Sequence, residues 1–220
     1  LDLAQVGFDY PAFARGAKKI VVDIDPAEIS KLYMEVHVSI CADASVFINE
    51  FARQSGSVTE RDRGDWLRRC SEWKNDYAVV LPEYKEPGHY VNTYHLVDEL
   101  SKAMSADDVL VPGSSGSCSE ITLQAFRVRE GQRILNSPGL GSMGFGLPAS
   151  IGACLASGSR RTIAVIGDGG LQHNIQELQT VARLGLPIKL FILNNNGYAS
   201  IRAMQENHFN ANYVCCDPDS

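Results

Sequence analysis

Hydrophobic positions in this chain gather in short unbroken runs that end in glycine or asparagine, and the runs alternate with amphipathic stretches of helical length. Thr162-Ile-Ala-Val-Ile166 and Ile188-Lys-Leu-Phe-Ile-Leu193 are the clearest of these runs. Short runs rich in β-branched and aromatic residues are what the strands of a covered parallel sheet present. Residues 171–184 lie between them, long enough for one helix, and are closed by Gly185 and Pro187. Strand, helix and strand in that order predict a right-handed parallel crossover. The polar loops Gly167-Asp168-Gly169-Gly170 and Asn194-Asn195-Asn196-Gly197 then stand at the carboxyl ends of neighbouring strands, where open α/β sheets bind ligands.

The same patterning organises the rest of the chain and predicts an α/β fold. Lys18 to Asp25 reads as a buried parallel strand, and Pro26 opens a helix whose first turn carries Glu28. Val38 to Cys41 reads as a second short strand and Ala44 to Arg53 as a helix. Residues 1–54 are read as the end of a Rossmann-like domain, since a parallel sheet needs more strands than these two. Residues 55–90 are polar, carry both signs of charge and are broken by Pro82 and Glu86-Pro87-Gly88, so they are read as a linker. One helix is predicted inside it, over 65–76, with Trp66 and Trp73 on one face. A new unit, 91–220, then offers a helix over 94–104, a strand over 108–112, a glycine–serine loop over 113–117, and a helix over 119–126. A short strand over 132–135 and a small-residue helix over 144–156 precede the crossover.

Composition narrows the function classes. The formal net charge of −6 argues against a nucleic-acid partner, which would want a basic face. No apolar run is long enough to span a membrane. The six cysteines form no C-x-x-C pair and have no histidine at zinc spacing, so they are expected to be free thiols of a cytoplasmic protein. The chain opens on Leu1 rather than Met, and is read as lying inside a longer protein.

Asp168 is the strongest candidate for chemistry. One carboxylate, side-chain amides and glycine-rich backbone meeting at one sheet edge form the set that Mg²⁺ asks for when it is held against a diphosphate. Gly169 and Gly170, at the start of a helix, can present backbone N–H groups to phosphate. The structural alternatives are an aspartate at a helix N-cap and asparagines that only build a turn.

Gly167-Asp168-Gly169, then 24 residues (170–193), then Asn194-Asn195 resembles the cofactor motif of thiamine-diphosphate (ThDP) enzymes. Gly139-Leu-Gly-Ser-Met-Gly-Phe-Gly-Leu-Pro-Ala-Ser-Ile-Gly152 is similar to the stretch that precedes that motif in acetolactate synthases and their relatives. Asn174-Ile-Gln-Glu-Leu178 and Leu186-Pro-Ile-Lys189 fit the same family. The resemblance implies a parallel-sheet ThDP-binding domain over 91–220, truncated at its C-terminal end, preceded by the end of a Rossmann-like middle domain. It implies Mg²⁺ ligation by the Asp168 and Asn195 side chains and the Gly197 carbonyl. It places Ser115, Gly116, Gly167, Gly169, Gly170, Tyr198, Ala199 and Ser200 around the diphosphate, and Gly141, Ser142 and Met143 around the aminopyrimidine. Met143 would be the apolar wedge under a bent cofactor that serves as its own base.

The implied reaction is decarboxylation of a 2-oxo acid with transfer of the acyl fragment to a second carbonyl. Relatives that join two carbon fragments tend to carry an aliphatic residue where Ile201 stands, and decarboxylases an acid, so carboligation is favoured over aldehyde release. The glutamate that activates the pyrimidine is expected in a domain absent here, so no catalytic residue is named. The family also implies a homodimer or tetramer with its site between subunits. Asp23-x-Asp25 resembles the part of the middle domain that holds FAD in acetolactate synthases; many relatives have lost that flavin, and FAD is kept only as an open alternative. A rival reading takes Gly139-x-Gly141-x-x-Gly144 as a dinucleotide fingerprint with Asp168 on the ribose of NAD. It leaves Asn194-Asn195-Asn196-Gly197 without a task.

Overall fold

A computed structural model describes residues 6–7, 9–137 and 139–216. Residues 1–5, 8, 138 and 217–220, which the expected domain spans 1–54 and 91–220 include, lie outside the described residues. The chain forms two compact units, Leu1–Lys74 and Asn75–Ser220.

In the first unit, β1 (Ile20–Asp23) pairs in parallel with β2 (Val38–Cys41), Ile20 opposite Val38. Helix α1 (Pro26–Ser30) connects them. It starts where it does because the Asp25 carboxylate accepts from the Ala27 N–H at 2.8 Å and Pro26 supplies a helix-ready φ. Asp43 caps α2 (Ala44–Gln54) in the same way through Ser45 N–H. The expected buried strand is a correction: Ile20 is 60% exposed, because β1 pairs only with β2 among the described residues. Helix α3 (Gly64–Asp76) sets Trp66 and Trp73 edge to face, with ring centroids 5.7 Å apart.

The second unit begins with α4 (Thr93–Ala103), capped by the Asn92 side chain. It continues through β3 (Val109–Pro112), α5 (Glu120–Ala125), β4 (Arg133–Ile134), α6 (Gly146–Ala156) and β5 (Thr162–Gly167). The predicted single helix over 171–184 is instead α7 (Asp168–Gln172), a turn of 3₁₀ helix at Ile175–Glu177, and α8 (Leu178–Leu184). The break falls at Asn174, whose backbone leaves the helical region (φ −140°) while its side-chain amide donates to the Gly144 carbonyl at 2.9 Å. An asparagine that bonds elsewhere competes with the helix it interrupts. Strand β6 (Ile188–Leu193) and α9 (Ala199–His208) follow; α9 was not foreseen.

All four strands run parallel in the order β4-β3-β5-β6. Alternation along β5 splits the core into two layers. Ile163 and Val165 join Leu110, Val97 and Leu100 of α4, and Ala125 of α5 on one face. Ala164 and Ile166 join Leu147 of α6, Leu171 and Val181 on the other. From β3 the chain moves outward to β4; from β5 it moves the other way to β6. The order reverses between β3 and β5, and a crevice opens outside their carboxyl ends.

Candidate functional site

The crevice is a cleft of about 100 Å³ lined by the loop after β3 (Gly113 to Cys118), the end of β5 with the start of α7 (Ile166 to Gly170), and the loop before α9. Of the expected site residues, Ser115, Gly116, Met143, Gly167, Asp168, Gly169, Gly170, Asn195, Tyr198, Ala199 and Ser200 line it together. Gly141 and Ser142 do not line it. Gly141 stands beside the β3 loop, where a Cβ would lie 3.5 Å from the Ser114 carbonyl oxygen. Gly197 borders an adjoining open hollow shared with Asn194 and Asn196.

Asp168 does more than an N-cap would. Gly167, not Asp168, holds the N-cap position of α7. The Asp168 Oδ2 accepts from the Asn195 N–H at 3.0 Å and from the Gly197 N–H at 2.8 Å, and its Oδ1 accepts from the Gly169 N–H at 2.7 Å. One carboxylate therefore ties the two polar loops together. The Asn195 Oδ1 accepts from the Ala199 N–H at 3.3 Å, so this side chain faces the start of α9. Asn194 closes the loop as an Asx turn, its Oδ1 accepting from the Asn196 N–H at 3.1 Å.

The Asp168 carboxylate, the Asn195 Oδ1 and the Gly197 carbonyl are the kinds of oxygen that a hard divalent cation takes. A carboxylate offers about four acceptor sites and a carbonyl two. Three N–H donors on Asp168, one on Asn195 Oδ1 and the Arg202 guanidinium on the Gly197 carbonyl leave each group with capacity for a metal. No cluster of three His, Cys, Asp or Glu side chains exists among the described residues. A metal here would complete its shell with water or with oxygens from a second molecule, as Mg²⁺ does with phosphate.

Glycine is required where the walls touch. Gly144 has φ +86°, and a Cβ there would meet the Asn174 side-chain nitrogen at 2.5 Å and the His173 Cβ at 2.9 Å. A Cβ on Gly169 would lie 2.6 Å from the Tyr198 ring. His173 thus packs against Gly144 and does not line the cleft.

Among the contributors that sequence reasoning passed over are Cys118, Leu193, Ile166 and Arg202. Cys118 forms part of the cleft floor, and its Sγ donates to the Ser115 carbonyl at 2.9 Å. Burial pushes this thiol above its ordinary pKa, so it stays protonated and unreactive near neutral pH. Leu193, the last residue of β6, adds apolar wall beside Met143 and Ile201. Arg202 holds the second polar loop from outside. Cys118 follows the Gly/Ser run directly and was legible as its continuation; Arg202 was not, because α9 had not been foreseen.

Residues 114–220 match the family described as thiamine pyrophosphate enzyme, C-terminal TPP binding domain. The chain is 33% identical over 209 residues to the acetolactate synthase large subunit of Cyanidium caldarium, covering 92% of this chain and 34% of that protein. It is 32% identical over 204 residues to the chloroplastic acetolactate synthase 2 of Zea mays, covering 91% and 31%. It is 32% identical over 193 residues to the acetolactate synthase isozyme 1 large subunit of Escherichia coli (strain K12), covering 88% and 33%. The chain spans about a third of the length of the curated relatives it matches.

Proposed function

Residues 114–220 belong to the C-terminal TPP-binding domain family of thiamine pyrophosphate enzymes, the chain is homologous to acetolactate synthase large subunits, and from that premise we propose that it forms the diphosphate and Mg²⁺ half of a 2-oxo acid carboligase. The observation that carries the reading is the Asp168 carboxylate joining the β5 and β6 loops on one side of the crevice that opens at the β3–β5 switch point of the sheet.

In this reading Asp168, Asn195 and the Gly197 carbonyl hold Mg²⁺, and the backbone of Gly169 and Gly170 at the start of α7, with Ser115 and Gly116 opposite, cradles the diphosphate. Tyr198, Ala199 and Ser200 close the cradle from the second loop. Gly141 and Ser142, off the cleft lining, flank the segment whose Met143 reaches into it and meets the aminopyrimidine. Bound ThDP would supply a carbon nucleophile and an electron sink for decarboxylation. The protein's part is to hold charge and exclude water. Ile166, Leu193, Met143 and Ile201 give the cleft an apolar wall, which favours loss of CO₂ from a carboxylate and offers no acid at Ile201 to protonate the product. That absence favours transfer of the acyl fragment to a second carbonyl over aldehyde release. The activating glutamate is assigned to a part of the protein outside this chain, and the complete site to a homo-oligomer. Dinucleotide binding gains no support, because a dinucleotide site has no use for the Asn194–Gly197 loop that the Asp168 carboxylate joins to the end of β5.

Titration calorimetry of ThDP into the full-length protein, with Mg²⁺ and then with EDTA, tests this. Binding is expected only with Mg²⁺, and Asp168→Ala is expected to abolish it while the fold persists by circular dichroism. Unchanged affinity in Asp168→Ala would remove the metal assignment. With pyruvate as substrate, an acyloin or acetohydroxy acid is the expected product, and acetaldehyde alone would replace carboligation by simple decarboxylation.

A further inference from the structure

Arg202, in the first turn of α9, spends its guanidinium on backbone. Its Nη2 donates to the Asn195 carbonyl at 2.7 Å, and its Nη1 to the Asn196 carbonyl at 2.7 Å and to the Gly197 carbonyl. It forms no ion pair among the described residues. The loop it grips is unusual. Asn196, Gly197 and Tyr198 have φ of 62°, 84° and 52°, three left-handed residues in succession. Asparagine and glycine tolerate this region, but Tyr198 opposes it, so something must hold the run in shape. Asp168 holds the N–H side through Asn195 and Gly197, and Arg202 holds the carbonyl side of residues 195–197.

We propose that Arg202 is a positioning residue for the metal, holding Asn195–Gly197 in the conformation that presents the Asn195 side chain and the Gly197 carbonyl to a divalent cation. This rests on the reading of Asp168, Asn195 and Gly197 as the ligands. A planar fork suits the task because it meets three adjacent carbonyls at fixed angles, which a single ammonium does not. The cost of its charge beside a second cation is moderated by the half-exposed position of Arg202 and by the negative diphosphate that the metal accompanies. The loss of its three hydrogen bonds falls on the ligand loop itself.

Charge and geometry give opposite outcomes in Mn²⁺ binding to the full-length protein with ThDP in excess, read from the paramagnetic resonance signal of free Mn²⁺. Arg202→Met is expected to raise the Mn²⁺ Kd about tenfold or more, the range in which groups that orient metal ligands act. Arg202→Lys, which keeps the charge and loses the fork, is expected to raise it by a smaller factor. The urea midpoint without metal reports whether each variant is folded; if Arg202→Met is not, Arg202→Lys alone decides. A Kd that is unchanged in Arg202→Lys, or lower in Arg202→Met, would overturn the proposal by making Arg202 a bystander or a competitor of the metal. Absence of Mn²⁺ binding in the unaltered protein would instead overturn the ligand reading, and this inference with it.

Discussion

Tyr198 keeps an aromatic side chain on a left-handed backbone, which costs a residue with a Cβ about 1–2 kcal/mol. Its ring lies over Gly169, so close that a Cβ there would stand 2.6 and 2.7 Å from two ring carbons. The two loops are therefore matched in shape as well as bonded through Asp168. Gly169→Ala must push the ring away or shift the start of α7, and is expected to destabilise the protein by about 1–3 kcal/mol. If the clash is with the ring, Tyr198→Ala in the same protein should relieve it. A double-mutant cycle by urea denaturation is then expected to give a coupling of about 1 kcal/mol or more. Strict additivity would mean that Gly169 is needed for some reason other than Tyr198.

Between elements, the strand starts are held by charge. Asp108 precedes β3 and Arg161 precedes β5, and they pair across the sheet edge through Nε to Oδ1 at 2.8 Å and Nη2 to Oδ2 at 2.5 Å, with the Ser105 N–H adding a third donor at 2.6 Å. Burial alone would raise the Asp108 pKa, but the Arg161 and Ser105 hydrogen bonds outweigh it and hold the carboxyl below its ordinary value. A depressed carboxylate contributes stability above its unfolded pKa of about 3.9 and loses it as pH falls through that value towards the folded pKa. Asp108→Asn is expected to cost about 1–2 kcal/mol at pH 7, since the buried carboxylate loses its charge-assisted bonds while the half-exposed Arg161 can turn to water. The gap in melting temperature between parent and variant should shrink below pH 4. An equal gap at pH 7 and pH 3 would show that the charge is not what matters.

At this scale much was legible in advance. The strands around Leu110 and Val165 announced themselves because a parallel strand covered on both faces must be apolar throughout, and the edge strand around Leu190 did so by a nearly continuous apolar run although Lys189 and Ile192 are exposed. The two polar loops followed from where those strands stop. The break at Asn174 was hidden because its cause is a bond to Gly144, 30 residues earlier, and not a local preference. Residues 199–208 escaped notice because the helix has no side-chain cap and starts from a left-handed Tyr198. Arg202 was lost with it. The exposure of Ile20 could not be foreseen from an apolar run, which records that a strand is covered but not by what.

Across the whole molecule, every residue that lines the cleft lies in the Asn75–Ser220 unit, while β1 and β2 lie in the other. Ligand binding acts on stability by mass action, adding about 2.7 kcal/mol when free ligand exceeds Kd a hundredfold. That gain belongs to whatever opens when the site opens. Amide hydrogen exchange with and without Mg²⁺ and ThDP is therefore expected to slow at Ser115–Cys118, at Gly169–Gly170 and at Asn195–Ser200. These segments lie in loops and helix starts, whose amides open locally more readily than the strands of a core. Residues Ile20–Asp23 and Val38–Cys41 should exchange at the same rate in both states. Protection confined to the three loops would locate the cofactor's diphosphate within one unit. Equal protection of β1 and β2 would mean that the cofactor contacts or couples to the other unit as well, and the site would then have to be redrawn to include the Asp23–Asp25 strand end.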